Sequence, residues 1–315
     1  DEDVNMRAML CLALLTGLAT PVGAGDEITV ETLDGRVRVE VDGDLFTEYI
    51  YDLDVQPVLH PVRGPGGTRM TRLWPLDESD EREARDHPHH RGLWMTFGDI
   101  NGVDFWRALD PQPKVLHDEL ARAEVEDGVA VIVSRNRWVN VDGRVHCTDT
   151  RTIRLSVQDG ARVVDYAVTL HASEGPFTFG VNEEGMMAIR THPELRLEGP
   201  VAKGHAINSE GDRDKPVWGK RAKWLDYWGP VEGRTVGVAI FDHPENPRFP
   251  TWWHARHYGL ITANPSGGHD TTGETKPLRV EAGGDLSFRY RFVFHEGDHE
   301  QAGIAKRYDE YAGTP

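Results

Sequence analysis

Alternation of apolar and polar positions with a period of two recurs along this chain. Ile153, Leu155 and Val157 alternate with Thr152, Arg154 and Ser156, and Val164, Tyr166, Val168 and Leu170 alternate with Asp165, Ala167, Thr169 and His171. Near the end Phe288, Tyr290, Phe292 and Phe294 alternate with Arg289, Arg291 and His295. Side chains change face at each step along a strand, so this period predicts half-buried antiparallel strands. Asp34-Gly35, Asp42-Gly43, Asn101-Gly102, Asp127-Gly128, Asp142-Gly143, Asp159-Gly160 and Gly283-Gly284 separate the runs and read as tight turns. A helical spacing is confined to residues 300–311, with Ile304, Tyr308 and Tyr311 on one side. No repeat of fixed period is present, which argues against a propeller or solenoid. The expected fold is all-β: a large antiparallel β-sandwich with a short C-terminal helix.

The first residues break the pattern. Met6 and Arg7 precede an apolar run over 8–19, and the small-residue site Val22 to Ala24 follows. These features predict a secretory signal peptide over 1–24, with 1–5 upstream of the natural start. The run is too short to cross a bilayer. Cys11 lies early in it rather than behind small residues at its end, which disfavours a lipoprotein anchor. The expectation is a periplasmic or secreted protein whose residues 25–315 form one β-sandwich domain. Cys147, in a strand-like run, is then expected to be a buried small hydrophobe.

The 315 residues include 35 Lys+Arg and 52 Asp+Glu, a net charge of −17 with His neutral. A chain this acidic, without a basic block, does not suit nucleic acid or an anionic membrane, which both need a positive footprint. The 15 His and 9 Trp change the picture more, because many of them cluster in four stretches.

Residues 86–94 read DHPHHRGLW, followed by Asn101-Gly102-Val103-Asp104-Phe105-Trp106. His87, His89, His90 and Arg91 bring polar groups that need partners, so they predict a polar cleft. His87 and His89, spaced i, i+2, point to one side if they lie on a strand, as metal ligands must. Acid/base work, substrate hydrogen bonding and a structural role are the other readings. In the second stretch Glu183 and Glu184 follow Phe177-Thr178-Phe179. Paired carboxylates supply a general base whose pKa the neighbour raises, although adjacent strand residues face opposite ways and a solvated acidic turn is the plainer reading.

The third stretch holds Trp224, Asp226 and Trp228 on one strand face and Leu225 and Tyr227 on the other. An acceptor between two indoles suits a sugar ring, and core packing is the alternative. In the fourth, Pro244, Pro247 and Pro250 exclude a helix or central strand. His254 and Arg256 there share a side, with Tyr258 and Asn264 close behind as further candidates for substrate contact.

The strings DHPHHRGLW, NGVDFW, WGKRAKWLDYWGPVEG, FDHPENPRFPTWWHARHYGL and NPSG together resemble the bacterial family catalogued as methane oxygenase PmoA. The resemblance spans most of residues 45–296. A particulate methane monooxygenase subunit crosses the membrane, and this chain has no spanning run, so the likeness is to a family and not to that activity. The resemblance implies an exported all-β protein of the galactose-mutarotase-like super-sandwich type, associated with carbohydrate breakdown. It also implies one cleft holding His87, His89, His90, Arg91, Glu183 or Glu184, Asp226, His254 and Arg256.

On these grounds the expected function is a carbohydrate-active hydrolase or lyase acting on a glycoside or modified sugar. His90 or His254 is expected to protonate an oxygen, and Glu184 or Glu183 to take a proton or activate water. Arg91 and Arg256 are expected to neutralise charge, with Trp224 and Trp228 as stacking walls. No cofactor is expected. The alternatives are a noncatalytic carbohydrate-binding protein and a metal-dependent oxygenase using His87, His89 and a third histidine such as His254.

Overall fold

A computed structural model describes residues 26–267 and 275–313. The predicted signal peptide lies outside these described residues. Strands β1 (Ile28–Leu33), β2 (Arg36–Val41), β3 (Asp44–Ile50), β4 (Val58–Leu59) and β5 (Leu93–Phe97) come first. A meander follows, of β6 (Lys114–Glu126), β7 (Val129–Val139), β8 (Val145–Gln158) and β9 (Ala161–His171). Next come β10 (Phe177–Phe179), β11 (Gly185–Arg190), β12 (His205–Asn208), β13 (Trp224–Val231) and β14 (Arg234–Asp242). The last strands are β15 (Trp252–Trp253), β16 (Leu260–Asn264), β17 (Leu278–Val280) and β18 (Asp285–Glu296), before helix α1 (Ile304–Ala312).

Two eight-stranded sheets carry the fold, ordered β1-β2-β3-β4-β5-β11-β16-β15 and β12-β13-β14-β18-β9-β8-β7-β6, with β10 and β17 paired beside them. The pairings are antiparallel, as the alternating pattern predicts. Asp42-Gly43, Asp127-Gly128 and Asp159-Gly160 take positive φ at both positions, the left-handed geometry whose twist suits a two-residue hairpin.

The inner faces pack together. Leu93, Met95 and Phe97 of β5, Met187 and Ile189 of β11, and Ile261 of β16 share one buried core with Ile153, Leu155, Val164 and Val168 of the other sheet. Cys147 is buried there and unpaired. The residues between them point the other way. On the outer face of the first sheet Val58, Trp94, Ala188 and Leu260 form a separate apolar cluster, which Leu53, Leu76, Trp106 and Tyr258 roof from connecting segments. On the outer face of the second sheet Trp224, Trp228, Phe241 and Val293 receive Ile304, Tyr308 and Tyr311 of α1.

Gly237 shows how tightly that second face is built. It pairs with Trp228 on one side and His295 on the other, and a Cβ there would lie 2.4 Å from His295 Cε1 and 2.9 Å from Trp228 Cβ. Gly237→Ala is expected to cost about 1–3 kcal/mol, the usual range for overpacking. The midpoint of chemical denaturation reads it, and an unchanged midpoint would mean that the neighbours yield freely.

Candidate functional site

β11 reads GMMAIR, and its last residue, Arg190, falls on the outer face with Ala188. A fully buried guanidinium needs a carboxylate, and Asp86 supplies it: its Oδ1 accepts from Arg190 Nη2 at 2.8 Å and from Arg72 Nη1 at 2.6 Å. Arg72 also donates to the carbonyls of His87 and His90, both at 3.0 Å, so it pins the histidine loop through its backbone. The loop is anchored upstream in the same way. Asp80 and Glu83 pair with Arg69, and Glu83 accepts the backbone N–H groups of Leu73 and Trp74. Gly92 closes the loop at φ +62°, where a Cβ would meet the Leu59 carbonyl at 2.4 Å.

Residues 85–92 are thus a turn and not a strand, and His87 itself has φ +48°. The i, i+2 expectation for His87 and His89 as ligands on one strand face does not hold, and their rings stand at 69° to each other. Among the described residues no group of three His, Cys, Asp or Glu is placed to hold a metal ion. What the turn builds instead is a column of rings. Tyr258 stacks on His87 at 5.0 Å, His87 on His90 at 4.8 Å, and His90 on Trp94 at 5.4 Å. Trp106 meets His90 edge-on at 5.9 Å, and His89 crosses His90 at 4.3 Å. Trp106 gets there because Asp104 Oδ1 accepts from its N–H and that of Arg107, a turn that sends Phe105 into the core and Trp106 outward.

Arg190 Nη1 lies 3.0 Å from His90 Nδ1. Arginine can only donate, so Nδ1 is the acceptor and the neutral ring carries its proton on Nε2. Burial, then the charges of His89 and Arg190, holds the His90 pKa far below the histidine range. Burial, reinforced by His87 and Arg72, also lowers His89, to about 3. Both rings are neutral at pH 7. With Nδ1 facing Arg190, the Nε2–H of His90 is the ring's hydrogen-bond donor.

Glu184 has the opposite character. Asn182 Oδ1 accepts its N–H at 2.9 Å, Gly98 N–H donates to its carbonyl at 2.8 Å, and Gly185 follows at φ +136°. A Cβ on Gly185 would lie 2.4 Å from the Phe97 ring, so only glycine lets the loop approach β5 this closely. Glu184 Oε1 stands 3.5 Å from Arg107 Nη2. Burial raises its carboxyl above the ordinary range, Arg107 opposes and Glu183 adds to the rise.

His254 and Arg256 reach the same outer face from the sheet edge. Trp94 pairs with Ala188, Ala188 with Thr262, and Thr262 accepts the His254 N–H. Three strand spacings separate the Trp94 and His254 backbones, about 14 Å at ~4.8 Å per step. Burial and the neighbouring Arg256 lower His254 to about 3. Arg256 stands over Trp218 at 5.5 Å and over Tyr258 at 5.7 Å, joining the column at its Tyr258 end.

Other candidates lie elsewhere. Trp224, Asp226 and Trp228 belong to β13 of the second sheet, under α1, so they do not line this cleft. Asp226 Oδ1 is 3.0 Å from His295 Nε2, and His295 Nδ1 is 3.2 Å from the Glu296 carbonyl. Both ring nitrogens face acceptors; burial pulls the His295 pKa down, and Asp226 with the Glu296 carbonyl outweighs it to leave a net rise. Trp224, Asp226, Trp228 and His295 are all buried on this second face. Arg91 turns back on the Pro88 carbonyl at 3.1 Å. Asn264 Nδ2 donates to the carbonyls of Asn182, Glu183 and Gly267, and its Oδ1 accepts from Ser266 N–H, so it braces the Glu184 loop. Arg72, Arg107 and Arg190, absent from the expected set, supply further guanidinium groups beside Arg256. An arginine closing an otherwise apolar strand is the signal that points to Arg190.

Two packed antiparallel sheets, with a buried cluster of histidine, arginine and aromatic side chains on the outer face of one, define the class of protein. Residues 36–309 match the family described as "Family of unknown function (DUF6807)", and the chain belongs to that family. A search of proteins of curated function gives no match. Among solved structures the chain is similar to an alpha-galactosidase from Lactobacillus brevis, with 9% identity and a TM-score of 0.40, covering 87% of this chain and 40% of that one. This chain therefore spans less than half of the galactosidase's length. It is also similar to a galactose mutarotase-like protein from Lactobacillus casei, with 9% identity and a TM-score of 0.38, covering 85% of this chain and 100% of that one. A third, a galactose mutarotase-like protein from Clostridium acetobutylicum, has 9% identity and a TM-score of 0.35, covering 87% of this chain and 99% of that one.

Proposed function

We propose that this chain is an exported carbohydrate-active enzyme that cleaves a glycoside or modified sugar by hydrolysis or elimination. The observation that carries the reading is the company Glu184 keeps. A carboxyl held above its ordinary pKa stands beside Arg107, which follows Trp106 of the ring column in the chain and whose charge acts on His89. A carboxyl raised in this way keeps its proton to higher pH than an ordinary glutamate, which suits it to proton transfer. Tyr258, half-buried at the end of the column, offers an aromatic surface of the kind that packs on a sugar, with Trp94 and Trp106 fully buried behind it.

In hydrolysis, protonated Glu184 gives its proton to the leaving oxygen as the C1–O bond breaks, and the carboxylate then takes a proton from the water that adds to C1. In elimination the Glu184 carboxylate removes a proton from the carbon next to the breaking C–O bond. In either case the His90 Nε2–H donates to an oxygen that gains negative charge, as a neutral imidazole does when its pKa is lowered.

The test is incubation of the purified protein with a panel of glycosides and 3-keto-glycosides, with products followed by chromatography and binding by calorimetry. Product from at least one substrate is expected. Binding without product would instead make this a noncatalytic carbohydrate-binding protein and end the enzyme reading.

A further inference from the structure

Around the ring column two buried guanidinium groups bond one carboxylate, although the chain as a whole carries −17. Arg72 and Arg190, both fully buried, share the single carboxylate of Asp86. Burial lowers Arg190 to about 9, and Arg196, itself acted on by Asp86, Glu83 and Asp80, adds its charge to the lowering of Arg72 and Arg190. Arg256 meets only the rings of Trp218 and Tyr258, and among the described residues no carboxylate stands within ion-pair distance of it.

Donors without acceptors accompany the charge. Arg72 Nε, Arg190 Nε, Arg196 Nε and Nη2, and the indole Nε1 atoms of Trp94 and Trp106 are buried with no hydrogen-bond partner among the described residues. Each of these groups can only donate. Native proteins leave few such groups unsatisfied, and a ligand rich in acceptors is one thing that satisfies them. Arg190 Cζ lies 4.5 Å and Arg256 Cζ 5.7 Å from the ring of Tyr258, which places two guanidinium groups beside one stacking surface.

We infer that the cleft takes a sugar bearing a carboxylate, a uronate-type unit, whose charge the guanidinium groups beside Tyr258 receive. The inference rests on the carbohydrate reading above and narrows it. A planar carboxylate matches the fork of a guanidinium, and a bond between charged groups is worth more than a neutral one.

The experiment compares matched probes that differ only at C6, the methyl glucuronides and galacturonides against the methyl glucosides and galactosides, with a 6-sulfated galactoside as a third arm. Affinity for wild-type protein is measured by calorimetry at low and high salt. The expected result is a preference for the carboxylate of about 10- to 100-fold, weakened by salt, from a charge-assisted bond worth ~1.5–3 kcal/mol. Arg256→Gln is expected to remove most of that preference and Arg256→Lys to keep part of it. Equal affinity for the neutral partner, or a preference for the sulfate, overturns the inference and leaves the carbohydrate reading standing. Failure of every probe to bind overturns both.

Discussion

Exchanging Glu184 for glutamine is expected to cut turnover by about 10²–10⁴-fold, the usual contribution of a positioned acid or base. Glutamine keeps the shape of the side chain and a hydrogen bond to Arg107, so the melting temperature is expected to stay close to that of the wild type. The pH profile gives the sharper test. Burial raises the Glu184 carboxyl, so its protonated form persists to higher pH than for an ordinary glutamate. If Glu184 is the acid, the wild-type rate falls as pH rises through that raised value; if it is the base, the rate climbs there instead. Either limb is expected to vanish in Glu184→Gln. His89 titrates at about 3, and His90 lies lower still, so neither ring contributes a limb between pH 5 and 8. His90→Ala should therefore lower the rate without changing the shape of the profile. A lost limb in His90→Ala with an intact one in Glu184→Gln would exchange their roles.

The parts of this site that the sequence makes legible are those where local chemistry decides. Leu225 and Tyr227 do point into the core while Trp224 and Trp228 point out, because alternation on a strand follows from backbone geometry alone. The Asp-Gly pairs mark hairpins for the same reason. Alternation does not say which sheet a strand joins. Stretches two and four flank β11, β15 and β16, and stretch one flanks β5, all neighbours in the first sheet, whereas β13 lies in the second. That non-local choice separates Asp226 from His90.

The arginines were hidden for a related reason. Arg72 and Arg190 lie more than a hundred residues apart and matter because both meet Asp86. The acidic run over 77–86 looks like a solvated face, yet Asp80, Glu83 and Asp86 are the loop's anchors on Arg69, Arg72 and Arg190. Pairing of this kind depends on where the chain returns, which neither composition nor spacing contains.

Replacing Asp149 with alanine is expected to destabilise the fold by about 3–5 kcal/mol, because it strands a buried charge. Asp149 and Arg151 alternate on β8 toward the core, where both side chains are 0% exposed. Arg151 Nη2 bonds Asp149 Oδ2 at 2.9 Å, while Asn136 Nδ2 and Trp138 Nε1 donate to the same carboxylate at 2.6 and 2.8 Å. Tyr166 accepts from Arg151 Nη1 at 3.3 Å, so the hydroxyl helps hold the guanidinium but brings no charge to balance it. Without Asp149 the guanidinium stays ionised in an apolar layer, and two further donors lose their acceptor. A loss of this size is a large part of the ~5–15 kcal/mol that a folded domain has in total. The double variant Asp149→Leu/Arg151→Met removes both charges together and fills the space with apolar atoms, and it is expected to recover the part of the loss that the stranded charge causes, though not the part from the Asn136 and Trp138 donors. Chemical denaturation of the two variants beside the wild type decides the matter: a single variant that costs under ~1 kcal/mol, or a double variant as unstable as the single, would mean that the pair is not what the core depends on.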